Sequence, residues 1–312
     1  MLAVGCGAGG MAPDPEPVLD RAGSPVTFCT SCEPVGTRAD ADDIRKWGFA
    51  VDAYSAGTGV AYFRNAEASY DFQSGRFATD RCWPAGGRLD FVARFPSGVR
   101  TVMMPDGLAV CALPEDGDVL AARETDCKEG VCPLAFEHCF ARIDGLRVCF
   151  GSSFSGLLEM NALSLAVSVG DASGYWKVPF DAAVVPDWVC GRVEGCHQGA
   201  VTDLGSLSGK ALGDIIMADR ASLTREGGLC VLSGLGLFVA PSDGTVVSVE
   251  LMIGDAGDPD KYFLVRGSKP LDLHHGTAYD LVLEFPSIGK TDFDCTAVVT
   301  GWRDGGEYDI IY

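Results

Sequence analysis

The sequence is poor in cations and in histidine. Its 312 residues include 24 Lys and Arg against 43 Asp and Glu, for a formal net charge of −19, and it has four histidines. Proteins that bind nucleic acid neutralise phosphates with Lys and Arg, so this charge excludes nucleic acid as an expected partner. It also argues against a polybasic attachment to anionic lipid.

Long apolar runs are absent as well. No stretch approaches the roughly 18 consecutive apolar residues of a membrane-spanning helix. Hydrophobic residues nevertheless make up 47% of the chain, which excludes a disordered protein and allows a sizeable core. The acidic composition is typical of a folded protein that works outside the cytoplasm.

Catalytic signatures are scarce too. A hydrolase needs a nucleophile, a base and an oxyanion hole, and the sequence contains no G-x-S-x-G motif. The histidines lie beside no recognisable partner motif; they are His138, His197, His274 and His275. The sequence therefore predicts neither an enzyme nor a cofactor.

Two short clusters have some features of a metal site. Cys29 and Cys32 have the spacing of zinc ligands, but the second half would be Cys196 and His197, which are adjacent and far along the chain. The aspartates of GDAGDPDKY, residues 254–262, could hold calcium, although their spacing is not that of an EF-hand loop. Gly, Pro and Asp are ordinary turn formers, so we predict a solvated turn there and no metal site.

Cysteine, in contrast, is abundant. The chain has thirteen cysteines, and three pairs are close in sequence: Cys29/Cys32, Cys127/Cys132 and Cys190/Cys196. In an oxidising compartment such pairs are candidate small-loop disulfides. The alternative is that several of these cysteines are small buried hydrophobic residues.

The hydrophobic pattern has a period of two along most of the chain. It predicts half-buried strands in WGFAVDAY (47–54), RLDFVARFP (88–96), TVVSVELMI (245–253) and TAYDLVLEF (277–285). Forty glycines and sixteen prolines fit the many turns that such strands need. Two segments, 40–47 and 207–218, are candidates for short helices. The pattern predicts an all-β protein of antiparallel sandwiches.

His138 and Cys139 lie side by side in LAFEHCFARIDGLRVCF. Successive strand residues point to opposite faces, so this pair cannot converge on one substrate or metal from a regular strand. Leu134, Phe136 and His138 would share one face. We interpret the segment as a structural strand.

The first residues, MLAVGC, resemble the lipobox of a bacterial lipoprotein signal, with Cys6 as the lipidated residue. A working signal also needs a basic segment and an apolar segment of about 7–15 residues. Both are missing, so we expect the true start to lie upstream. The Gly- and Pro-rich stretch that follows suits a tether between a lipid and a folded domain.

Seven weak motifs, in order, carry a further resemblance. VCPLAFEHCFARIDGLRV resembles a strand of the Bacteroidetes fimbrillins and Mfa-like proteins, and DVLAARE resembles the segment that precedes it there. The other matching segments are TRA, KWGFAVDAYSAG, DRCWPAGGRLDFVARFPSG, GLGLFVAPSDGTVVSVELMI and HHGTAYDLVLEF. Departures from the family pattern include Ser242 in place of a Gln, Leu273-His274-His275 in place of the Trp expected before Gly-Lys-x-Tyr, and the cysteine content.

The resemblance implies two tandem transthyretin-like (Greek-key) β-sandwich domains. Residues 1–24 would be the signal remnant and tether, residues 25–128 the N-terminal domain and residues 129–312 the C-terminal domain. It also implies an exported outer-membrane lipoprotein that serves as a structural or adhesive subunit of surface fimbriae, in adhesion and biofilm formation. The partners would be other fimbrial subunits, the outer membrane through the lipid, and a host surface protein or glycan.

The resemblance further implies assembly by β-strand exchange. PVTFCTS (25–31) would be the first strand, and TRADADDIRK (37–46) would follow as a polar loop. An Arg-specific protease would cut this loop after Arg38, with Arg45 and Arg21 as alternatives. Loss of the first strand would leave a groove with unpaired backbone groups for a neighbour's strand. The tail GWRDGGEYDIIY is a candidate donor, and its alternative is to pair within its own domain.

A second class of function stays open at this point. The chain could be a surface lipoprotein that does not polymerise and that binds a glycan or a host protein. Tyr175 and Trp176 in DASGYWKVP would then form an exposed binding loop. The alternative for Trp176 is a place in the core.

Overall fold

The protein is described from a computed structural model, which covers residues 23–32, 38–113, 116–151, 153, 163–170, 174–196, 202–208, 229–255, 258–287 and 292–300. Within these ranges the chain forms one helix, α1 (Arg38–Trp47), and a series of strands. In chain order the strands are β1 (Pro25–Cys32), β2 (Phe49–Ser55), β3 (Ala61–Asp71), β4 (Arg76–Cys82), β5 (Leu89–Phe95), β6 (Arg100–Met104), β7 (Gly107–Cys111), β8 (Leu120–Cys127), β9 (Val131–His138), β10 (Ala141–Phe150), β11 (Leu163–Gly170), β12 (Gly174–Pro179), β13 (Asp187–Cys190), β14 (Thr202–Ser208), β15 (Leu229–Val239), β16 (Ser242–Asp255), β17 (Asp258–Leu273), β18 (Ala278–Phe285) and β19 (Asp294–Thr300). The predicted all-β class is confirmed.

Seven strands from the first part of the chain form a sheet that closes into a barrel. Its strand order is β1-β4-β3-β2-β5-β8-β9, and the ring closes because β1 pairs antiparallel with β4 and parallel with β9. Strand alternation turns every second side chain toward the interior. The large aromatic side chains of that interior are Phe28, Phe49, Phe63, Phe77, Trp83, Phe91 and Phe136.

Helix α1 packs on the barrel through Ile44, which is buried in the barrel core. The helix ends at Trp47, and Gly48 follows with a φ of 70° while its N–H donates to the Ile44 carbonyl at 2.8 Å. A Cβ at Gly48 would lie 2.5 Å from the Ala68 carbonyl oxygen, so both conformation and space require glycine. The helix predicted over 40–47 is confirmed and begins two residues earlier.

A four-stranded sheet of order β13-β12-β7-β6 covers part of the barrel's outer surface; we call it the middle sheet. Its residues Val110 and Trp176 share a core with Tyr54 of β2, Val92 of β5 and Ala121 of β8. Strands β2 and β5 are therefore buried on both faces. The sequence pattern predicted them as half-buried. That expectation was wrong because the middle sheet covers the face of these strands that carries Tyr54 and Val92.

Apart from β12 and β13, the strands from β10 onward form two facing four-stranded sheets. Their orders are β15-β10-β18-β19 and β14-β11-β16-β17. Side chains from both sheets fill one core, which includes Ile143 and Leu281 from the first sheet and Val167 and Val249 from the second. Strands β10 and β18 run parallel, and β18 pairs antiparallel with β19. The strands predicted over 245–253 and 277–285 are confirmed as β16 and β18.

The chain passes from the barrel to the two facing sheets at residues 139 and 140, between β9 and β10. Strand β9 pairs with β1 and β8, and its Leu134 and Phe136 lie in the barrel core. The expected domain limit at 128/129 thus falls inside the β8–β9 hairpin. Of the helix predicted over 207–218, residues 207 and 208 belong to strand β14, and the rest lies outside the described residues.

Candidate assembly site

Strand β1 lies between two strands of the barrel and contributes directly to its core. Its residues from Thr27 to Cys32 pair in parallel with Val131 to Phe136 of β9. On the other side Thr27 and Phe28 pair with β4. Strand β1 is therefore hydrogen-bonded along both edges, so its loss would leave unpaired backbone groups on β4 and on β9.

The inward face of β1 is apolar. Val26 and Phe28 are fully buried. The Phe28 ring makes edge contacts with the rings of Phe49 and Phe91, at centroid distances of 5.8 and 5.1 Å. Burial of side chains of this size contributes about 1.5–3 kcal/mol each. A strand that replaced β1 would need large apolar residues at the same alternate positions.

The N-terminal end of β1 is also fixed. The Trp83 N–H donates to the Ser24 carbonyl at 2.9 Å, and the Ser24 hydroxyl donates to a Glu129 carboxylate oxygen at 2.6 Å. The Thr79 hydroxyl donates to the Val26 carbonyl at 3.4 Å. Strand β1 is thus an integral part of the barrel in this conformation.

Arg38, the expected processing site, is the first residue of helix α1. Its side chain lies outside the described residues, as do residues 33–37. The loop expected over TRADADDIRK is instead helical from Arg38 onward, so the predicted loop was wrong over this part of the segment. The physical reason is the buried Ile44, which gives the polar segment one apolar contact with the barrel. Arg45 lies in the same helix and is exposed.

The other residues expected to take part in assembly cannot be placed. Cys6, Arg21 and the tail from 301 to 312 all lie outside the described residues. Lipidation at Cys6 and donation of the tail strand therefore stay predictions.

His138 ends β9 and forms a buried polar contact. Its Nδ1 lies 2.9 Å from the Asp118 carboxylate, so DVLAARE and the β9 strand meet at this pair. Cys139 is fully buried, and burial raises the pKa of its thiol well above the usual range. The two neighbours serve different contacts, but the single strand predicted for this segment was wrong, because the chain bends at residues 139 and 140 between β9 and β10. The thiolate that a nucleophile requires is disfavoured at Cys139.

His275 lies at the turn before β18. Its ring makes an edge contact with Trp176 at 4.5 Å, and its Nε2 is 3.8 Å from an Asp187 carboxylate oxygen. Burial lowers the pKa of His275, and the charge of Asp187 partly opposes this effect. The backbone N–H of His274 donates to the Tyr279 hydroxyl at 3.0 Å. These contacts tie a turn to the middle sheet.

One disulfide bond is present among the described cysteines, and it differs from the predicted pairs. Cys196 is bonded to Cys111, 85 residues away, rather than to Cys190. Cys190 is an exposed thiol whose Sγ lies 3.3 Å from the Ser242 hydroxyl oxygen. Proximity in sequence gave the wrong partner because the β6–β7 hairpin, which ends at Cys111, is brought to Cys196 by tertiary pairing.

The structure has no disulfide bond for the predicted pair Cys127/Cys132, and for the predicted pair Cys29/Cys32 it describes only one of the two side chains. Cys127 and Cys132 face each other as free thiols. Their mutual hydrogen bond, together with burial, raises the pKa of Cys132. Cys29 is exposed, and the side chain of Cys32 lies outside the described residues.

A metal site finds no support in the part of the chain that the structure describes. No group of three or more His, Cys, Asp or Glu side chains there could hold a metal ion. Cys196 is bonded to Cys111, so it cannot be the zinc ligand considered above. The side chains of the 254–262 turn lie outside the described residues. No helix in the same part of the chain is long and apolar enough to span a bilayer.

The binding loop expected at Tyr175 and Trp176 is not exposed. Both residues lie in β12, where Trp176 is 1% exposed and Tyr175 8% exposed. Trp176 fills the core between the middle sheet and the barrel. The expectation of an exposed pair was therefore wrong, and the alternative of a place in the core is confirmed for Trp176, because β12 pairs with β7 over the barrel. These residues cannot act as a glycan platform.

Comparison of the whole fold places it among known structures. A fimbrial protein from Bacteroides vulgatus superimposes with a TM-score of 0.53 at 12% identity, over 89% of this chain and 99% of that chain. The fimbrial anchor protein Mfa2 from Porphyromonas gingivalis aligns over 89% of this chain and 97% of its own, with a TM-score of 0.37 and 11% identity. A candidate cell adhesion protein from Parabacteroides distasonis aligns over 89% of this chain and 99% of its own, with a TM-score of 0.47 and 9% identity.

The chain therefore shares the fold of the Bacteroides vulgatus fimbrial protein. This shared fold confirms, at the level of the fold, the resemblance to fimbrillins seen in the sequence. No protein-family profile matches the sequence. No curated protein matches it either.

Proposed function

We propose that this chain is a structural or adhesive subunit of surface fimbriae, with a role that does not involve catalysis. The proposal draws on the fold shared with a fimbrial protein. The single observation that carries the assembly mechanism is the position of β1, which is paired on both edges and contributes Val26 and Phe28 to the barrel core.

In this proposal, subunits join by β-strand exchange. Cleavage after Arg38 would separate β1 from the rest of the barrel, because everything before residue 39 would become a separate peptide. Departure of that peptide would uncover the pocket lined by Phe49 and Phe91 and the free edges of β4 and β9. A strand from the next subunit, with the 301–312 tail as the candidate, would fill the pocket by β-augmentation.

The two cores support a tandem arrangement of transthyretin-like domains. The barrel with its middle sheet would form the first domain, and the two facing sheets would form the second. In this proposal the chain leaves the first domain between His138 and Ala141, after β9, and returns to it with β12 and β13 of the middle sheet.

Surface attachment is the remaining part of the proposal. Cys6 would carry the lipid in the outer membrane, and the polar stretch before β1 would act as the tether. The partners would be other fimbrial subunits and a host surface protein or glycan. The alternative of a non-polymerising glycan-binding protein has lost its candidate residues, because Tyr175 and Trp176 are buried.

An Arg-specific protease provides the test. Purified full-length protein would be treated with the protease and followed on gels in detergent without boiling. We expect a ladder of oligomers from the wild-type chain and from Arg45→Ala, and none from Arg38→Ala. Monomers alone after complete cleavage at Arg38 would contradict strand exchange. The same ladder from Arg38→Ala would contradict the choice of site.

A further inference from the structure

The middle sheet is assembled from two hairpins that are distant in sequence. One is β6–β7, and the other is β12–β13, which the chain reaches only after it has built β8 to β11. The hairpins join through β7 and β12, which pair antiparallel from Val110 and Trp176 to Gly107 and Pro179. The sheet is therefore the place where a late segment of the chain returns to the barrel.

Polar contacts reinforce this junction. Lys177 of β12 donates to an Asp106 carboxylate oxygen at 2.5 Å, in the turn that leads into β7. Arg123 of β8 donates to the carbonyl oxygens of Pro179 and Asp181, at 2.8 and 3.1 Å. The late hairpin is thus held by the barrel as well as by β7.

The Cys111–Cys196 disulfide lies at the same junction. Cys111 is the last residue of β7, and Cys196 lies shortly after β13. Their Cα atoms are 5.8 Å apart, within the ordinary range for a disulfide. Cys111 is 6% exposed, whereas Cys196 is more open, so a thiolate from solution would reach the Cys196 sulfur first.

We propose that Cys111–Cys196 is a redox-sensitive clamp that holds the β12–β13 hairpin on the barrel. In reduction by a dithiol, one thiolate of the reductant attacks Cys196 Sγ and Cys111 leaves as a thiolate, which takes a proton. The second thiol of the reductant then displaces Cys196, so two protein thiols and one oxidised dithiol result. That the bond forms in the cell rests on the proposed surface location, because exported proteins meet an oxidising environment.

The clamp acts on a large loop. A bond between residues separated by 85 positions removes much of the freedom of the unfolded chain, and it also joins the two hairpins at one end of their shared sheet. Reduction should therefore lower the stability of the junction first. Residues 174–190 should respond more than β10 and β18, which lie in the second core.

The test uses the full chain, purified under oxidising conditions and then treated with dithiothreitol. Peptide mapping should find Cys111 joined to Cys196. Reduction, confirmed by alkylation of both thiols, should lower Tm by about 5–10 °C. It should also speed amide exchange in β7 and β12 at least tenfold. The double variant Cys111→Ser/Cys196→Ser should resemble the reduced protein, and Cys190→Ser should resemble the oxidised wild type.

Unchanged Tm and exchange after complete reduction would overturn the clamp, even if the double variant failed to fold. A Cys190–Cys196 link in the native protein would overturn it as well. Mapping of protein recovered from cells separates this proposal from the fimbrial one. Free Cys111 in chains taken from the cell surface would contradict the clamp alone, whereas recovery of the chain from the cytoplasm would contradict the proposed location.

Discussion

Arg94 and Asp52 form an ion pair inside the first half of the protein, with Arg94 Nη1 donating to Asp52 Oδ2 at 3.0 Å. Both side chains are less than 5% exposed. Arg94 also donates from Nε to the Val99 carbonyl at 2.6 Å and from Nη2 to the Asn65 amide oxygen at 2.5 Å. The backbone N–H of Asn65 in turn donates to Asp52. The pair thus links β2, β3 and β5 under the cover of the middle sheet.

Removal of one partner should be far more costly than removal of both. Arg94→Met would leave the Asp52 carboxylate buried without its cation, and we expect a loss of about 3–5 kcal/mol in the free energy of unfolding. The double variant Asp52→Leu/Arg94→Met should recover part of that loss, because no isolated charge remains. Urea unfolding of the two single variants and the double variant measures the coupling. A cost below about 1 kcal/mol for Arg94→Met would contradict a dry, buried pair.

Trp176 should matter for stability and not for recognition. Truncation to alanine removes a side chain that is 1% exposed, and we expect a loss of about 3–5 kcal/mol. Val185, which is 74% exposed in the loop after β12, is the control, and Val185→Ala should change stability by less than about 0.5 kcal/mol. Thermal and urea unfolding provide both values. Near-equal stability of the two variants would show that Trp176 does not belong to the core.

Gly107 begins β7 at the point where it meets β12. A Cβ there would lie 2.4 Å from the Val178 carbonyl oxygen and 2.9 Å from the Pro179 Cα. Gly107→Ala must therefore push two backbones apart, and we expect a loss of roughly 1–3 kcal/mol. Gly98→Ala is the matched control, because a Cβ at Gly98 meets nothing within 4 Å. If both changes had the same small effect on unfolding, the close pairing of β7 with β12 would be disproved.

His275 should make the protein less stable in mild acid. Burial lowers the pKa of its imidazole below the unfolded value of about 6.5, so the unfolded chain binds the proton more readily. Stability is therefore complete above about pH 7 and is lost as the pH falls through 6.5 toward the folded pKa. The charged groups near the ring, Asp187, Glu137 and His274, modulate this effect.

The variant His275→Asn removes this dependence. Between pH 7 and pH 5 the unfolding free energy of the wild type should fall more than that of the variant. The same substitution at the exposed His274 should leave the wild-type dependence in place. Urea midpoints across this pH range make the comparison. Parallel curves for wild type and His275→Asn would contradict a half-buried His275 whose pKa is lowered.

The period-two pattern predicted strands such as β5, β16 and β18, and the order of the motifs predicted the fold neighbours. It could not predict that Asp52 and Tyr54 are buried. Alternation along a strand shows which of its faces is apolar. It does not show that residues 174–190, far along the chain, cover the other face of β2 and β5. For the same reason the sequence left open whether Trp176 lies at the surface or in the core, because its burial depends on pairing between β7 and β12.

At the candidate assembly site, too, local features were predicted from the sequence and long-range pairings were not. The first strand at 25–31 was predicted from its sequence and is confirmed as β1. Its parallel pairing with β9, which closes the barrel, depends on contacts between residues about one hundred positions apart. The partner of Cys196 likewise lies 85 residues away. Local spacing carries no information about such partners, so Cys190 was the wrong choice.

The most direct test of the account is the state of the protein on native cell surfaces. Material recovered without boiling would be analysed on detergent gels, by electron microscopy and by mass spectrometry of its N-terminus. We predict filaments and a ladder of detergent-stable oligomers whose subunits begin after Arg38 and have lost β1. Monomers, or polymers that retain residues 25–32 at their own N-terminus, would contradict it.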